Sequence, residues 1–178
     1  MKRILQAALS AVAVLSLSAC GPGEPKVLPD GPVDVRIKAL SRNITMVSEV
    51  GDSLMITHNQ GVTNGFTWTW TFFEDAQAVL SRLDEASSNK PYRQIVFMVK
   101  VPAQDNLGNK SEQLGMKVFY DKAGLIGANW QNMNTFDMME LPIDIEFKRL
   151  GLESADEYCK DVDSAKHSRK FCDRVLAR

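Results

Sequence analysis

Phe66-Thr67-Trp68-Thr69-Trp70-Thr71-Phe72 is the stretch on which the fold turns. Aromatic residues and threonines alternate with period two. It is the strongest strand signal in the chain, with its aromatics on one face and its threonines on the other. The residues that follow change period. Ala76, Val79, Leu80 and Leu83 fall at i, i+3, i+4 and i+7, which predicts an amphipathic helix over 74–87. Glu74 and Asp75 suit its positive N-terminus, and Asn89 and Pro91 end it.

Upstream, Val33-Asp34-Val35-Arg36-Ile37-Lys38-Ala39 alternates apolar and polar residues and reads as a half-buried strand. Residues 44–50 and 53–57 read as two more strands around a Gly51-Asp52 turn. Downstream, residues 93–101 are apolar on both faces, as a central strand would be. The polar stretch 102–112, with Gly108, reads as a loop. Residues 114–120 form a strand, Asp121-Lys122-Ala123-Gly124 a turn, and residues 125–130 the returning hairpin partner. A short helix over 135–141 precedes Pro142, and residues 143–147 alternate again. The expected class is α+β: one domain over 33–178, with an antiparallel sheet of five to seven strands, one packed helix and a C-terminal helical hairpin.

In that C-terminal region Ser154-Ala155-Asp156-Glu157 matches a capping box, so a helix is expected from about Ser154. Cys159 lies on one apolar stripe and Cys172 on the next. On one continuous helix their 13-residue separation spans about 20 Å, far beyond disulfide reach. A bond therefore requires a break near Val162-Asp163-Ser164 and two helices folded together; otherwise both remain buried thiols. Residues 150–163 carry a net −4 and residues 164–178 a net +4, a pattern that suits antiparallel helices or one long helix dipole.

The full chain has 178 residues, 44% hydrophobic and 24% charged, which is a globular composition. Its net charge of −1 argues against nucleic-acid binding, which draws on a basic excess. No apolar run reaches 18 residues, so no membrane-spanning helix is expected. With two His and three Cys, neither a zinc site nor another cofactor is expected.

The N-terminus is the most informative segment. Lys2 and Arg3 precede an apolar stretch over 4–17, the layout of a secretory signal peptide. Leu17-Ser18-Ala19-Cys20 then resembles the lipobox of bacterial lipoproteins. The resemblance covers only these first twenty residues. It implies that Cys20 receives a diacylglyceryl group, that residues 1–19 are removed, and that the new amine is acylated. Fatty chains such as palmitate, at about 0.8 kcal/mol per buried CH₂, would then hold the chain on a membrane. In that family Asp after the Cys retains the protein at the inner membrane; Gly21 here implies the outer membrane, facing the periplasm. Cleavage leaves 19 basic and 22 acidic residues, net −3, so the lipid must supply the membrane affinity. Residues 20–32 form a tether. Its Gly-Pro-Gly-Glu-Pro-Lys-Val-Leu-Pro-Asp-Gly-Pro sequence spans roughly 35 Å if extended. An exported chain whose third cysteine carries lipid favours a Cys159–Cys172 disulfide.

Candidate site residues are few. Exposed, Trp68 and Trp70 would make a platform for sugar rings or a partner; buried, they are the core beneath the helix at 74–87, the preferred reading. Trp130, among Asn129, Gln131 and Asn132, is a second aromatic with amides around it. His58 and His167 lack a nucleophile motif, and the oxygen-rich Asp105, Asn106, Gly108 and Asn109 lack the spacing of a calcium loop. The expected function is a lipid-anchored, non-catalytic binding or scaffolding protein of an envelope assembly, with envelope proteins as partners. The alternative is a glycan or small-ligand binder using exposed aromatics.

Overall fold

The computed structural model describes residues 27–61 and 64–177. The signal segment, Cys20 and tether residues 21–26 lie outside these residues. The expected α+β class is present: a five-stranded, mostly antiparallel sheet with helices. The strands are β1 (Ile44–Val50), β2 (Ser53–His58), β3 (Gln94–Gln104), β4 (Lys110–Asp121) and β5 (Asp144–Phe147). They lie in chain order across the sheet. Only the β2–β3 pair is parallel. The helices are α1 (Val33–Lys38), α2 (Gly65–Leu80), α3 (Leu83–Ala86), α4 (Thr135–Glu140), α5 (Arg149–Cys159), α6 (Val162–His167) and α7 (Arg169–Leu176).

The 66–72 stretch is helix, not strand. Asn64 caps α2 by accepting from the Thr67 N–H at 2.9 Å. Trp68, Phe72, Ala76 and Val79 then form one buried stripe that joins the aromatic segment to the expected helix. Thr67 is exposed but Thr69 is buried, so the threonines do not share a face. Topology requires this outcome, because a parallel β2–β3 pair needs a crossover and α2 supplies it.

Residues 33–39 likewise form a helix. Val33 and Ile37, four apart, both enter the core, and Asp34 pairs with Lys38 at 3.5 Å. Pro32 at the N-cap starts it with a preset φ of −67°. Residues 125–130 form no strand: Leu125 ends a 3-10 helix (Ala123–Leu125), and β5 takes the place beside β4. The expected loop over 102–112 shrinks to 105–109, because Asp105 Oδ1 accepts from the N–H groups of Leu107 and Asn109 and closes a tight turn.

The capping-box reading at Ser154 also fails. Helix α5 begins at Arg149, and the Ser154 hydroxyl donates back to the Leu150 carbonyl from mid-helix. The expected C-terminal helices are present: α5 and α7 fold together, with the short α6 between them. The first break falls at Lys160-Asp161, where Asp161 caps α6. Cys159 and Cys172 are joined, with Cα atoms 5.5 Å apart. Ion pairs run along single helices, Lys160 with Asp156 and Arg169 with Asp173.

The bond clamps α7 to α5 over Phe171 and Tyr158, both fully buried. Cys159→Ser with Cys172→Ser should lower stability by about 3 kcal/mol. The expected result is a lower denaturation midpoint with unchanged far-ultraviolet circular dichroism. An unchanged midpoint would mean that the clamp contributes nothing.

Candidate binding surface

Side chains alternate across each strand, so the register sorts the sheet into two faces. Leu54, Ile56, Ile95, Phe97, Met116, Val118 and Ile145 form the inner face, and all belong to the main core. Every described helix except α6 sends buried apolar residues into that same core, and α6 adds the half-buried Ala165. The helices therefore cover one face only.

The opposite face carries Met46, Val50, Met55, Val96, Met98 and Phe119, brought together by the register. Met46 is 58% exposed and Val50 61%. Met55, Met98 and Phe119 are half-buried, and their flanks close over Val96. None of the six belongs to the core cluster beneath the helices. At one border Lys117 pairs with Glu146 at 3.4 Å. An apolar centre with a polar rim is the anatomy of a protein-binding surface. Methionine suits such a surface, because its unbranched thioether side chain adapts to irregular partners.

The residues singled out from sequence lie elsewhere. Trp68 is fully buried, and its Nε1 donates to the Lys100 carbonyl at 2.8 Å, so it presents no ring face to a ligand. Trp70 is half-buried, donates to Glu74 Oε1 at 2.8 Å and packs edge-on against Phe136. Trp130 is half-buried against the core, and Gln77 bonds to the neighbouring Met133 carbonyl at 2.8 Å. The paired Trp68/Trp70 platform is therefore absent from the surface. His167 is exposed beside the Phe136 ring. Asp105 serves its turn, and the Asn109 side chain holds its carboxyl below the usual range.

His58 is fully buried and bonds through Nε2 to Asp75 Oδ2 at 2.8 Å. A carboxylate accepts only, so Nε2 carries the hydrogen. Asn43 donates to the same oxygen at 2.7 Å. The trio ties β2 to α2 and to the turn before β1. Nδ1 is buried with no hydrogen-bond partner among the described residues. Burial raises the Asp75 carboxyl pKa, but the bonds from His58, Asn43 and Ser41 outweigh it and hold it below the ordinary range. Among the described residues no three His, Cys, Asp or Glu side chains group as metal ligands. No helix of the described residues is long and apolar enough to cross a membrane.

A scan against protein-family models, a search of curated proteins and a search of solved structures each found no match for this chain.

Asp75→Ala would strand the His58 and Asn43 donors, which should cost about 1–3 kcal/mol at neutral pH, less what solvent at the edge of the site recovers. Because the folded Asp75 pKa is depressed, its contribution is complete above the unfolded value of about 3.9 and fades as pH falls through the folded one. Urea midpoints for the two proteins should therefore converge only in strong acid. A gap independent of pH would show that the carboxylate charge is not the cause.

Proposed function

We propose that this chain is a lipid-anchored lipoprotein of the bacterial cell envelope that binds partner proteins through the open sheet face and catalyses nothing. The lipobox Leu17-Ser18-Ala19-Cys20 supports the anchor, with Cys20 as the acylated residue, and Gly21 supports the outer membrane facing the periplasm. The observation that carries the binding role is the methionine-rich face that no described helix covers. Nucleic acid is an unsuitable partner for a mature chain of net charge −3. The glycan alternative loses support, because its main aromatic, Trp68, is buried.

The anchor and the face are linked by distance. Leu28 packs into the core, so at most residues 21–27, not the whole stretch to Pro32, separate the domain from Cys20. Seven residues at about 3.1 Å each reach roughly 22 Å. The reading therefore keeps the domain close to the bilayer and points to partners that sit at or near the membrane.

The test is crosslinking in intact cells followed by mass spectrometry of the captured proteins. Cys20→Ser should move the protein from the membrane to the soluble fraction. Met98→Lys should keep the fold and the membrane fraction but lose the captured partners, because it places a charge in the centre of the apolar face. Unchanged partners with Met98→Lys would overturn the role of the face. Unchanged membrane fractionation with Cys20→Ser would overturn the anchor.

A further inference from the structure

Among the described residues strand β1 is an edge of the sheet, paired only with β2. An edge strand displays unpaired N–H and C=O groups, and monomeric proteins guard such edges with lysine, proline or a covering segment. Although α1 packs beside it, β1 carries no lysine, proline or bulge beyond the register slip between Ile44 and Met46. Its sequence Ile-Thr-Met-Val-Ser-Glu-Val contains one charge, Glu49, and that carboxylate is already held by Lys90 at 2.9 Å and Tyr92 at 2.8 Å. Residues 45, 46 and 48–50 are all exposed. Among the described residues no loop or helix backbone bonds to residues 45–50. Gly51, at φ +61°, closes the two-residue turn to β2, so Val50 and Ser53 are its closing pair. Backbone groups then alternate: those of Ser48 point toward β2, and those of Val47 and Glu49 point outward.

We propose that β1 pairs antiparallel with β1 of a second copy of this chain, about a two-fold axis at Ser48. This register is self-complementary. Val47 and Glu49 of one copy exchange backbone hydrogen bonds with Glu49 and Val47 of the other. Exposed Met46 faces Val50 of the other copy, so both lose apolar exposure on the open side of the sheet. Glu49 lies opposite Val47, so like charges are not directly opposed, and the two Glu49 carboxylates, diagonal neighbours across the axis, are each already held by Lys90 and Tyr92. The two sheets become one ten-stranded sheet, and the two open faces become continuous. Confinement to a membrane surface raises effective concentration and favours such a short interface. The pairing itself depends on the strand alone, so it stands or falls apart from the anchor.

The experiment is cysteine crosslinking of the full-length chain in its own membranes. Ser48 sits on the axis at a pair whose Cα atoms come within about 4.5 Å, inside disulfide range. Ser48→Cys should give a reducible covalent dimer under mild oxidation. The unsubstituted chain and Thr67→Cys, an exposed position on α2, should not. Ser48→Lys sets two ammonium groups face to face and should weaken self-association by about tenfold in sedimentation of the detergent-solubilised protein, with the fold unchanged. Ser48→Cys that crosslinks no more than Thr67→Cys would overturn the proposal. So would self-association that Ser48→Lys leaves intact.

Discussion

The structure depends on one close approach, at a β-bulge in β4. The β3–β4 register slips between Val99 and Lys100, where Gly115 is the extra residue. Three elements converge there. The Trp68 indole of α2 lies against Gly115 and donates to the Lys100 carbonyl. Gly151 of α5 presses on the Gly115 backbone, and the Gly115 carbonyl accepts from the Lys148 N–H just before α5. A side chain on Gly115 would meet Trp68, and one on Gly151 would overlap the Gly115 carbonyl. Two glycines and one tryptophan thus bring α2 and α5 onto the same side of the sheet. The remaining helices pack around that pair, Phe171 of α7 against Phe73 and Tyr158. The uncovered far face follows from this one-sided packing.

Several parts of this arrangement were legible in the residues. The strands around Gly51-Asp52, the central strand from residue 94 and the cysteine pair all stand near their expected places. Two of the misread segments share a cause. Val33-Asp34-Val35-Arg36-Ile37 and the aromatic stretch 66–72 satisfy period two and period 3.6 at once, because every second position is apolar and some of those also fall four apart. β-Propensity favours the strand for Trp, Phe and Thr, but propensity is a weak prior against burial. The Asn64 cap and the stripe running on to Val79 decide for the helix, and both need the two halves to be read together.

The candidate surface was hidden for a related reason. Residues 93–101 are apolar on both faces, which reads as a central strand but does not say what covers each face. Here one side is covered by this chain's own helices and the other is left open by the described residues. Periodicity reports which residues avoid water, not which partner does the covering. Met46, Met55, Met98 and Phe119 come from four strands and carry no linear motif, so only the register assembles them. The proposed anchor is the opposite case. Leu17-Ser18-Ala19-Cys20 resembles a lipobox in linear order, so that expectation needs no fold to be read.

Methionine oxidation footprinting tests the central claim most directly. The fully folded protein would be exposed to a brief peroxide pulse twice, once purified and once in the intact envelope, and each methionine read by mass spectrometry. If the open sheet face is a partner surface, Met46, Met55 and Met98 oxidise readily in the purified protein and are protected together in the envelope, while Met133, at the other side of the molecule, changes little. Equal oxidation of the three in both settings would show that nothing covers the face, and would contradict the account.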